Sequence, residues 1–207
     1  METKKVEPLP DSDFNHILPF INSTIFLGEN GSETPVYSSL IKNDTIYAAA
    51  ESGLFKIDVE NPFIANYEFW IKDTGFPNGE QNGPINQITE FEGKIYVNYR
   101  NYSSGSNDII YRKDESGWVS LVDNKTNLRL RGTDIGLLVV ALDDVTLKNS
   151  NGSNIHGFYT YQDVYHKPQD AVLAEDSSIW IPNRAFGVII DRWDTSEHVL
   201  INGPYKD

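Results

Sequence analysis

The sequence predicts an all-β protein, a partial (open) β-propeller of about four four-stranded blades. A β-rich dipeptide that precedes a turn and a further strand occurs four times, as Ile46-Tyr47, Ile95-Tyr96, Leu138-Val139 and Ile179-Trp180. The second residues of these dipeptides are 49, 43 and 41 residues apart, and a repeat of about 40–50 residues with several strands is typical of propeller blades. The aromatic content of 12% and the 15 glycines also favour strands joined by turns.

Each repeat divides into four short segments that are separated by clusters of Gly, Pro, Asn, Asp or Ser. This is the pattern of short antiparallel strands. The third segment of each repeat is the most continuously apolar, as expected for a strand with a neighbour on each side. The predicted strands are, repeat by repeat, TIFLG, PVYSSLI, TIYAAA and GLFKID; NYEFWI, INQITEF, KIYVNYR and DIIYRK; WVSLV, LRLRG, LLVVAL and VTLKN; GFYTYQD, DAVLAE, SIWIPN and GVIID.

The repeats divide residues 14–207 into blades with approximate boundaries. Residues 1–13 are polar and contain proline, so they are interpreted as a tail or as the lead-in to a strand. Because the sequence stops in mid-repeat, we expect a fragment whose end faces are apolar and exposed. The predicted blades are residues 14–60, 61–114, 115–150 and 151–192, and residues 193–207 are the start of the next blade.

The hairpin that follows the third segment differs between repeats. Gly53-Leu54-Phe55 in the first repeat matches Gly187-Val188-Ile189 in the fourth, and a glycine that opens a strand suits a tight turn with positive φ. The second repeat instead has the insertion NYSSGSND at residues 101–108, and the third shortens the hairpin to Asp143-Asp144. Variable tips on a rigid framework are where binding residues are often found.

Composition excludes several classes of function. The formal net charge is −13 and the pI is near 4.6, which argues against general binding of nucleic acid or of an anionic membrane surface. No apolar run approaches the ~18 residues of a membrane span. The chain has no cysteine, so disulfides and thiolate metal sites are both excluded.

The sequence contains no motif that indicates an active site, a metal site or a cofactor site. The carboxylate pairs Asp143-Asp144 and Glu175-Asp176 stand where turn residues are expected, and adjacent strand residues point to opposite faces of a sheet. The four histidines lack metal-binding spacing, and nucleophile and phosphate-binding motifs are absent. We therefore predict a non-enzymatic protein without a cofactor. The alternative of a propeller lyase or glycoside hydrolase would require convergent acid–base groups on one rim.

Aromatic residues supply the candidates for packing and for binding. The four tryptophans lie in strand-like runs and are predicted to fill space between blades; they are Trp70, Trp118, Trp180 and Trp193. A second group opens the variable hairpin, where surface recognition is expected. These predicted binding residues are Tyr99, Arg100, Asn101 and Tyr102.

Two segments carry a resemblance to a known family. The segment IYAAAESGLFKID (residues 46–58) resembles the blade motif of bacterial two-component-regulator propellers, and PQDAVLAEDSSIWIPNRAFGVII (residues 168–190) resembles another blade element of that family. Together with INGP (residues 201–204), this combination is similar to the N-terminal propellers of PorZ-like surface components of the type IX secretion system in Bacteroidota. The resemblance covers about residues 40–207.

The resemblance implies a non-catalytic binding or scaffold propeller at the cell surface or in the periplasm of a Gram-negative bacterium. Its implied partners are proteins of an outer-membrane attachment complex, including a sortase-like subunit, with lipopolysaccharide or a glycan as a further ligand. The alternative is the periplasmic glycan-sensing propeller of a hybrid two-component system. Because the chain is acidic, we expect mainly protein contacts. Lipopolysaccharide would bind elsewhere, or at a local basic spot such as Arg129 and Arg131.

Overall fold

In the structure, a computed structural model, the regular secondary structure of the described residues is almost entirely antiparallel strand. Two of the sequence predictions, the lead-in at residues 1–13 and the binding residue Tyr102, lie outside the described residues. Within the described part of the chain, no helix is long and apolar enough to cross a membrane. The described residues are 25–27, 33–77, 83–101, 107–121, 125–161, 164–165, 167–183 and 187–199.

Four main sheets follow one another along the chain, and within each sheet the order of strands in space is their order in sequence. A short 3-10 helix, Tyr67–Phe69, precedes the last strand of the first sheet. The first sheet contains β1 (Ile25–Leu27), β2 (Glu33–Lys42), β3 (Thr45–Ala50), β4 (Gly53–Asp58) and β5 (Ile71–Lys72). The second sheet contains β6 (Ile85–Phe91), β7 (Lys94–Tyr99), β8 (Ile109–Asp114) and β9 (Gly117–Leu121).

The third and fourth sheets repeat this arrangement, and a two-stranded hairpin lies between them in the sequence. The third sheet contains β10 (Asn127–Gly132), β11 (Leu137–Ala141), β12 (Val145–Lys148) and β13 (Asn154–Phe158). The hairpin contains β14 (Thr160–Tyr161) and β15 (Val164–Tyr165). The fourth sheet contains β16 (Val172–Leu173), β17 (Ile179–Asn183), β18 (Gly187–Asp191) and β19 (Ser196–Val199).

This architecture confirms the predicted class, a partial β-propeller of about four blades. It also confirms that the dipeptide strands are interior ones: β3, β7, β11 and β17 each have a hydrogen-bonded neighbour on both sides. Gly53 and Gly187 have φ of 131° and 77°, which confirms the predicted need for glycine where β4 and β18 begin.

The predicted assignment of strands to blades is wrong by one strand: the strand expected to open a blade closes the preceding sheet. The segment WVSLV, expected to open the third blade, is instead β9, which pairs with β8 and closes the second sheet. Similarly, NYEFWI becomes the 3-10 helix and the start of β5, which pairs with β4. Residues 196–199 form β19 on β18 rather than the start of a new blade. The local pattern could not show this because a half-exposed edge strand has the same appearance whichever neighbour it joins.

Consecutive sheets pack face to face through apolar side chains. In β11, Leu137 and Val139 belong to the apolar cluster shared with the second sheet. The alternate residues Leu138 and Val140 belong to the cluster shared with the fourth sheet. All five residues of β11 are buried, which explains why this strand is continuously apolar rather than alternating. Complete burial of a side chain of this size contributes about 1.5–3 kcal/mol.

The tryptophans divide into two groups. Trp70 and Trp118 are buried; Trp70 donates its indole N–H to the carbonyl of Ile64 at 2.9 Å, and Trp118 stacks on Phe76 with centroids 4.5 Å apart. The prediction of packing between blades is confirmed for Trp118, which lies between the first two sheets, whereas Trp70 packs on the outward face of the first sheet. Trp193 is 38% exposed, but its ring stacks on His156 of the third sheet with centroids 4.7 Å apart. The prediction is wrong for Trp180, which is 41% exposed, because a strand of an end sheet can resemble a core strand while one of its faces has no neighbour.

The inner strands of the second and third sheets approach each other unusually closely. A Cβ atom added at Gly132 in β10 would lie 1.6 Å from the backbone oxygen of Glu90 in β6. The amide of Gly132 also donates to Oγ1 of Thr89 at 2.9 Å. Glycine is therefore required here by the distance between two backbones rather than by a turn.

We predict that Gly132→Ala destabilises the protein by about 3 kcal/mol, because the added methyl group forces β10 away from β6. Urea unfolding followed by circular dichroism would measure the change in the free energy of unfolding. Gly93→Ala is the control: Gly93 has φ of 70° but nothing within 4 Å of its added Cβ, so its cost is limited to about 1 kcal/mol of backbone strain. Equal costs for the two variants would contradict the proposed close approach.

Asp73, just after β5, joins the first two sheets. Its carboxylate accepts from Lys113 Nζ at 2.6 Å and from the indole of Trp118 at 3.1 Å. The amide of Gly75 donates to it at 3.1 Å. Burial by itself would raise the pKa of Asp73, but the bonds from Lys113, Gly75 and Trp118 outweigh burial and hold that pKa below its ordinary value of 3.8.

We predict that Asp73 makes the protein acid-sensitive. Because its pKa is lower in the folded state, its contribution to stability is fully present above the unfolded pKa and is lost as the pH falls through the folded one. Asp73→Asn is expected to cost about 2 kcal/mol at pH 7 and to flatten the dependence of the unfolding free energy on pH below pH 4. The exposed Asp143 supplies the control, since Asp143→Asn should leave both quantities unchanged.

Candidate functional site

The inner strands of the first three sheets enclose a cleft. β2, β6 and β10 lie side by side, and the space between them has a volume of about 490 Å³. Propeller folds place ligands and partners along such inner surfaces and the loops around them. The cleft is lined by Tyr37, Ser38, Gln87, Ile88, Thr89, Arg129, Leu130, Arg131 and Gly132.

Hydroxyl groups hold the inner strands together at the cleft. β6 and β10 each have one edge without a ladder partner, and β2 pairs with β1 only over residues 33–35, so backbone groups along these edges need other bonds. Ser38 in β2 accepts from the amide of Ile88 in β6 at 3.4 Å. One junction further, Thr89 accepts from the amide of Gly132 in β10 at 2.9 Å. The same device therefore connects the first sheet to the second and the second to the third.

The lining of the cleft is basic, although the chain as a whole is acidic. It contains Arg129 and Arg131 and neither aspartate nor glutamate. Arg131 forms two bonds to Asp170, from Nε at 3.2 Å and from Nη2 at 2.6 Å. Arg129 donates to the carbonyl of Leu128 at 2.9 Å. The charge of Arg131 is therefore balanced by Asp170, and Arg129 is the lining cation that has no described carboxylate partner.

A buried polar cluster lies at the junction of the second and third sheets. Nδ2 of Asn98 donates to Asn86 at 2.6 Å and to Asp108 at 2.9 Å. Asn127 donates to Asp108 from its amide at 2.9 Å and to Asn98 from its side chain at 2.9 Å. All four residues are buried, so this network fixes the base of the variable hairpin relative to β10.

The predicted binding residues lie around this cluster. Arg100 donates to the carbonyl of Asn127 at 2.7 Å and lies 3.7 Å from Asp108. The amide of Asn101 points to the same carboxylate at 3.4 Å. Tyr99 is half-buried against the core, and its ring lies over Gly83. The structure thus brings Tyr99, Arg100 and Asn101 together at the base of the hairpin, and a role for them in recognition stays a prediction.

The carboxylate pairs are turn residues, as predicted. Asp144 is buried and pairs with Lys125, whereas its neighbour Asp143 is exposed. Asp176 accepts from the amide and the hydroxyl of Ser178 at 3.0 and 2.5 Å, and these bonds lower the pKa of Asp176. Within the described ranges, no group of three or more histidine, aspartate or glutamate side chains is placed to hold a metal ion.

One face of the fourth sheet exposes apolar side chains on β16 and β17, whereas Ile190, which pairs with Trp180 from β18, is buried. Val172 and Trp180 are directly opposite each other in β16 and β17, and they are 48% and 41% exposed. Pro182, two residues further on the same face, is also exposed. The opposite face, with Ile179, Ile181 and Ile189, is buried against the third sheet. Trp180 and its neighbours thus form an open face, which is the expected end of an incomplete stack of blades.

The other end of the stack is covered. The outward face of the first sheet, which includes Ile46 and Phe55, packs against the connection between β4 and β5. This connection contributes Val59, Ile64 and Trp70. The expectation of two exposed end faces is therefore correct for the fourth sheet and wrong for the first. The long connection of residues 59–70 is the feature in the sequence that could have indicated this difference.

Sequence reasoning identified part of the cleft. The sequence indicates Arg129 and Arg131 as a local basic spot, but it does not indicate Tyr37, Gln87 and Thr89 as binding residues. These residues lie on strands of mixed polarity, which do not stand out in the sequence. The order of strands within each sheet is what shows that these strands face the cleft.

Comparison with solved structures supports the fold. The extracellular domain of the putative one-component system BT4673 from B. thetaiotaomicron matches 84% of this chain with a TM-score of 0.59 at 13% identity. YCF48, in a structure with bound D1 peptide, matches 84% with a TM-score of 0.60 at 13% identity. PorZ, a bacterial surface component of the type IX secretion system of Porphyromonas gingivalis, matches 83% with a TM-score of 0.56 at 15% identity.

These matches concern parts of larger proteins. This chain spans 24% of the BT4673 chain, 56% of the YCF48 chain and 22% of the PorZ chain. No protein-family model and no curated protein sequence matches it. At such low identity the similarity shows a common propeller fold, and function has to be argued from the site.

Proposed function

We propose that this chain is a non-catalytic binding propeller of a bacterial cell-surface protein, a PorZ-like subunit of a secretion system. In this role it contacts protein partners of an outer-membrane attachment complex, including a sortase-like subunit. Its fold is similar to that of PorZ, which supports the proposal together with the resemblance of the blade motifs. The observation that carries the proposal is the open face of the fourth sheet.

The open face is suited to a protein surface. At each of the three junctions between sheets, apolar side chains of one sheet cover those of the next. The face around Trp180 continues this series without a described neighbour. Contiguous exposed apolar surface that contains a tryptophan is typical of protein–protein contact sites.

The charge of the chain agrees with a protein partner. With 30 acidic and 17 basic residues, the surface repels extended polyanions such as nucleic acid or an anionic membrane. An apolar face within an acidic surface favours a partner that buries the face and whose surrounding charge is neutral or basic.

We predict that Trp180→Ser weakens binding of the sortase-like subunit encoded in the same genome by about 30-fold, since a buried tryptophan at an interface contributes about 2 kcal/mol or more. Surface plasmon resonance with the chain immobilised would measure the dissociation constant. Thermal unfolding of the variant would establish that the sheet is retained.

Ile155→Ser is the matched control for this measurement. Ile155 lies in β13 of the third sheet and is 44% exposed, so the substitution removes a comparable apolar side chain from a different surface. Binding should be unchanged. A partner that binds the Trp180 and Ile155 variants equally well would contradict a role for the open face, and absence of binding to the unmodified chain would contradict the proposed partner.

The second candidate is the glycan-sensing propeller of a hybrid two-component system. The similarity to the extracellular domain of BT4673 favours it, and so does the polar cleft, which has a volume suitable for a small ligand. The coding sequence on either side of this chain separates the two candidates. A membrane span followed by a kinase region would establish a sensor, whereas further β-structure alone would support the secretion-system subunit.

A further inference from the structure

We propose that the cleft between β2, β6 and β10 binds a small polyhydroxylated ligand that carries an oxyanion group, an acidic sugar or a sugar phosphate. Arg129 is the principal binding residue, and Arg131 is the second. The proposal is independent of the secretion-system role, because it concerns a different surface from the open face around Trp180.

The first argument is an unbalanced positive charge at the cleft. Acidic residues outnumber basic ones by 30 to 17 in the chain, and Arg131 is balanced by Asp170, yet Arg129 lines the cleft with no described carboxylate in ion-pair distance. Because Arg129 is exposed, its charge acts mainly on a ligand that contacts it directly. A single oxyanion is attracted here, whereas a long polyanion also experiences the negative surface around the cleft.

The second argument is the state of the two guanidinium groups. Arg131 is held in place by its paired bonds to Asp170, so its position at the cleft is fixed. Within the described part of the chain, Arg129 has no carboxylate in ion-pair distance, and its Nη1 donates to the carbonyl of the preceding Leu128. Arginine presents five N–H donors in a planar fork that matches a carboxylate or phosphate. Most of the donors of Arg129 are therefore available to a ligand.

The third argument is the supply of neutral polar groups beside the arginines. Gln87 donates its side-chain amide to the carbonyl of Asn86 at 2.7 Å, which orients the side chain. Tyr37 donates its hydroxyl to Glu51 at 2.5 Å, which places a phenolic group at the edge of the cleft. Such groups suit a ligand with several hydroxyls rather than an apolar acid.

The size of the cleft limits the ligand. A volume of about 490 Å³ lies within the ~300–1,000 Å³ typical of small-molecule sites. The walls are hydrogen-bonded to each other through Ser38 and Thr89, so the cleft is formed before a ligand arrives. A preformed site of this size fits a monosaccharide or disaccharide.

Isothermal titration calorimetry of the full chain tests the proposal with four probes: glucuronate, glucose 6-phosphate, glucose and inorganic phosphate. We expect at least one acidic sugar to bind about tenfold or more tightly than both glucose and inorganic phosphate. Binding of glucuronate alone identifies a carboxylate ligand, and binding of glucose 6-phosphate alone identifies a phosphate ligand. Binding should weaken as salt is added.

Two variants assign the binding to the cleft. Arg129→Gln should weaken the acidic sugar by about tenfold or more, whereas it should leave any weak affinity for glucose unchanged. Arg192→Gln is the control, because Arg192 is an exposed arginine that pairs with Glu197 and Asp176 in the fourth sheet. Equal losses in the two variants would overturn the proposal, as would failure of both acidic sugars to bind more tightly than glucose at millimolar concentration. Neither result would bear on binding at Trp180.

Discussion

The close approach of the inner strands is the constraint on which the rest of this molecule depends. In the first three sheets β2, β6 and β10 lie next to one another; β6 and β10 each have one edge without a ladder partner, and β2 pairs with β1 only at residues 33–35. The contact is possible because Gly132 has no side chain at the point where β10 meets the backbone of Glu90. Ser38 and Thr89 then satisfy amides of the next strand. This spacing fixes the angle between sheets, so that the apolar faces further out can meet and the cleft can exist.

The sequence was sufficient to predict the class and the interior strands, because burial on both faces produces a continuous apolar run such as Leu137–Ala141. The role of Gly53 could also be predicted, since glycine is essentially the residue that accepts its φ of 131°. The edge strands were assigned to the wrong blades. An edge strand such as Gly117–Leu121 is half-exposed and short, and the choice of its partner depends on the connection before it and on the packing of whole sheets. Neither can be read from a short stretch of sequence.

The sites were less predictable than the fold for a related reason. The basic cleft is assembled from β2, β6 and β10, and no two of its strands are neighbours in the sequence. The residues Tyr99, Arg100 and Asn101 were selected because they precede a variable hairpin, yet Arg100 and Asn101 bond to Asp108 at its other end. Their position beside a variable hairpin suggested that these residues are near the surface. It could not indicate that their polar groups are directed inward, toward a buried network.

The distribution of cations follows from the same architecture. Lys42 pairs with Glu90 across the first junction, Lys113 pairs with Asp73 across the same pair of sheets, and Arg131 pairs with Asp170 where the third sheet meets the fourth. These cations are used to join blades, because a partly buried carboxylate at a junction requires a partner. Each pair uses one carboxylate for one cation, so the excess of 30 acidic over 17 basic residues remains on the rest of the molecule. Arg129 lies on the same inner strand as Arg131 but pairs with no described carboxylate, so its positive charge remains available at the exposed edge of the cleft.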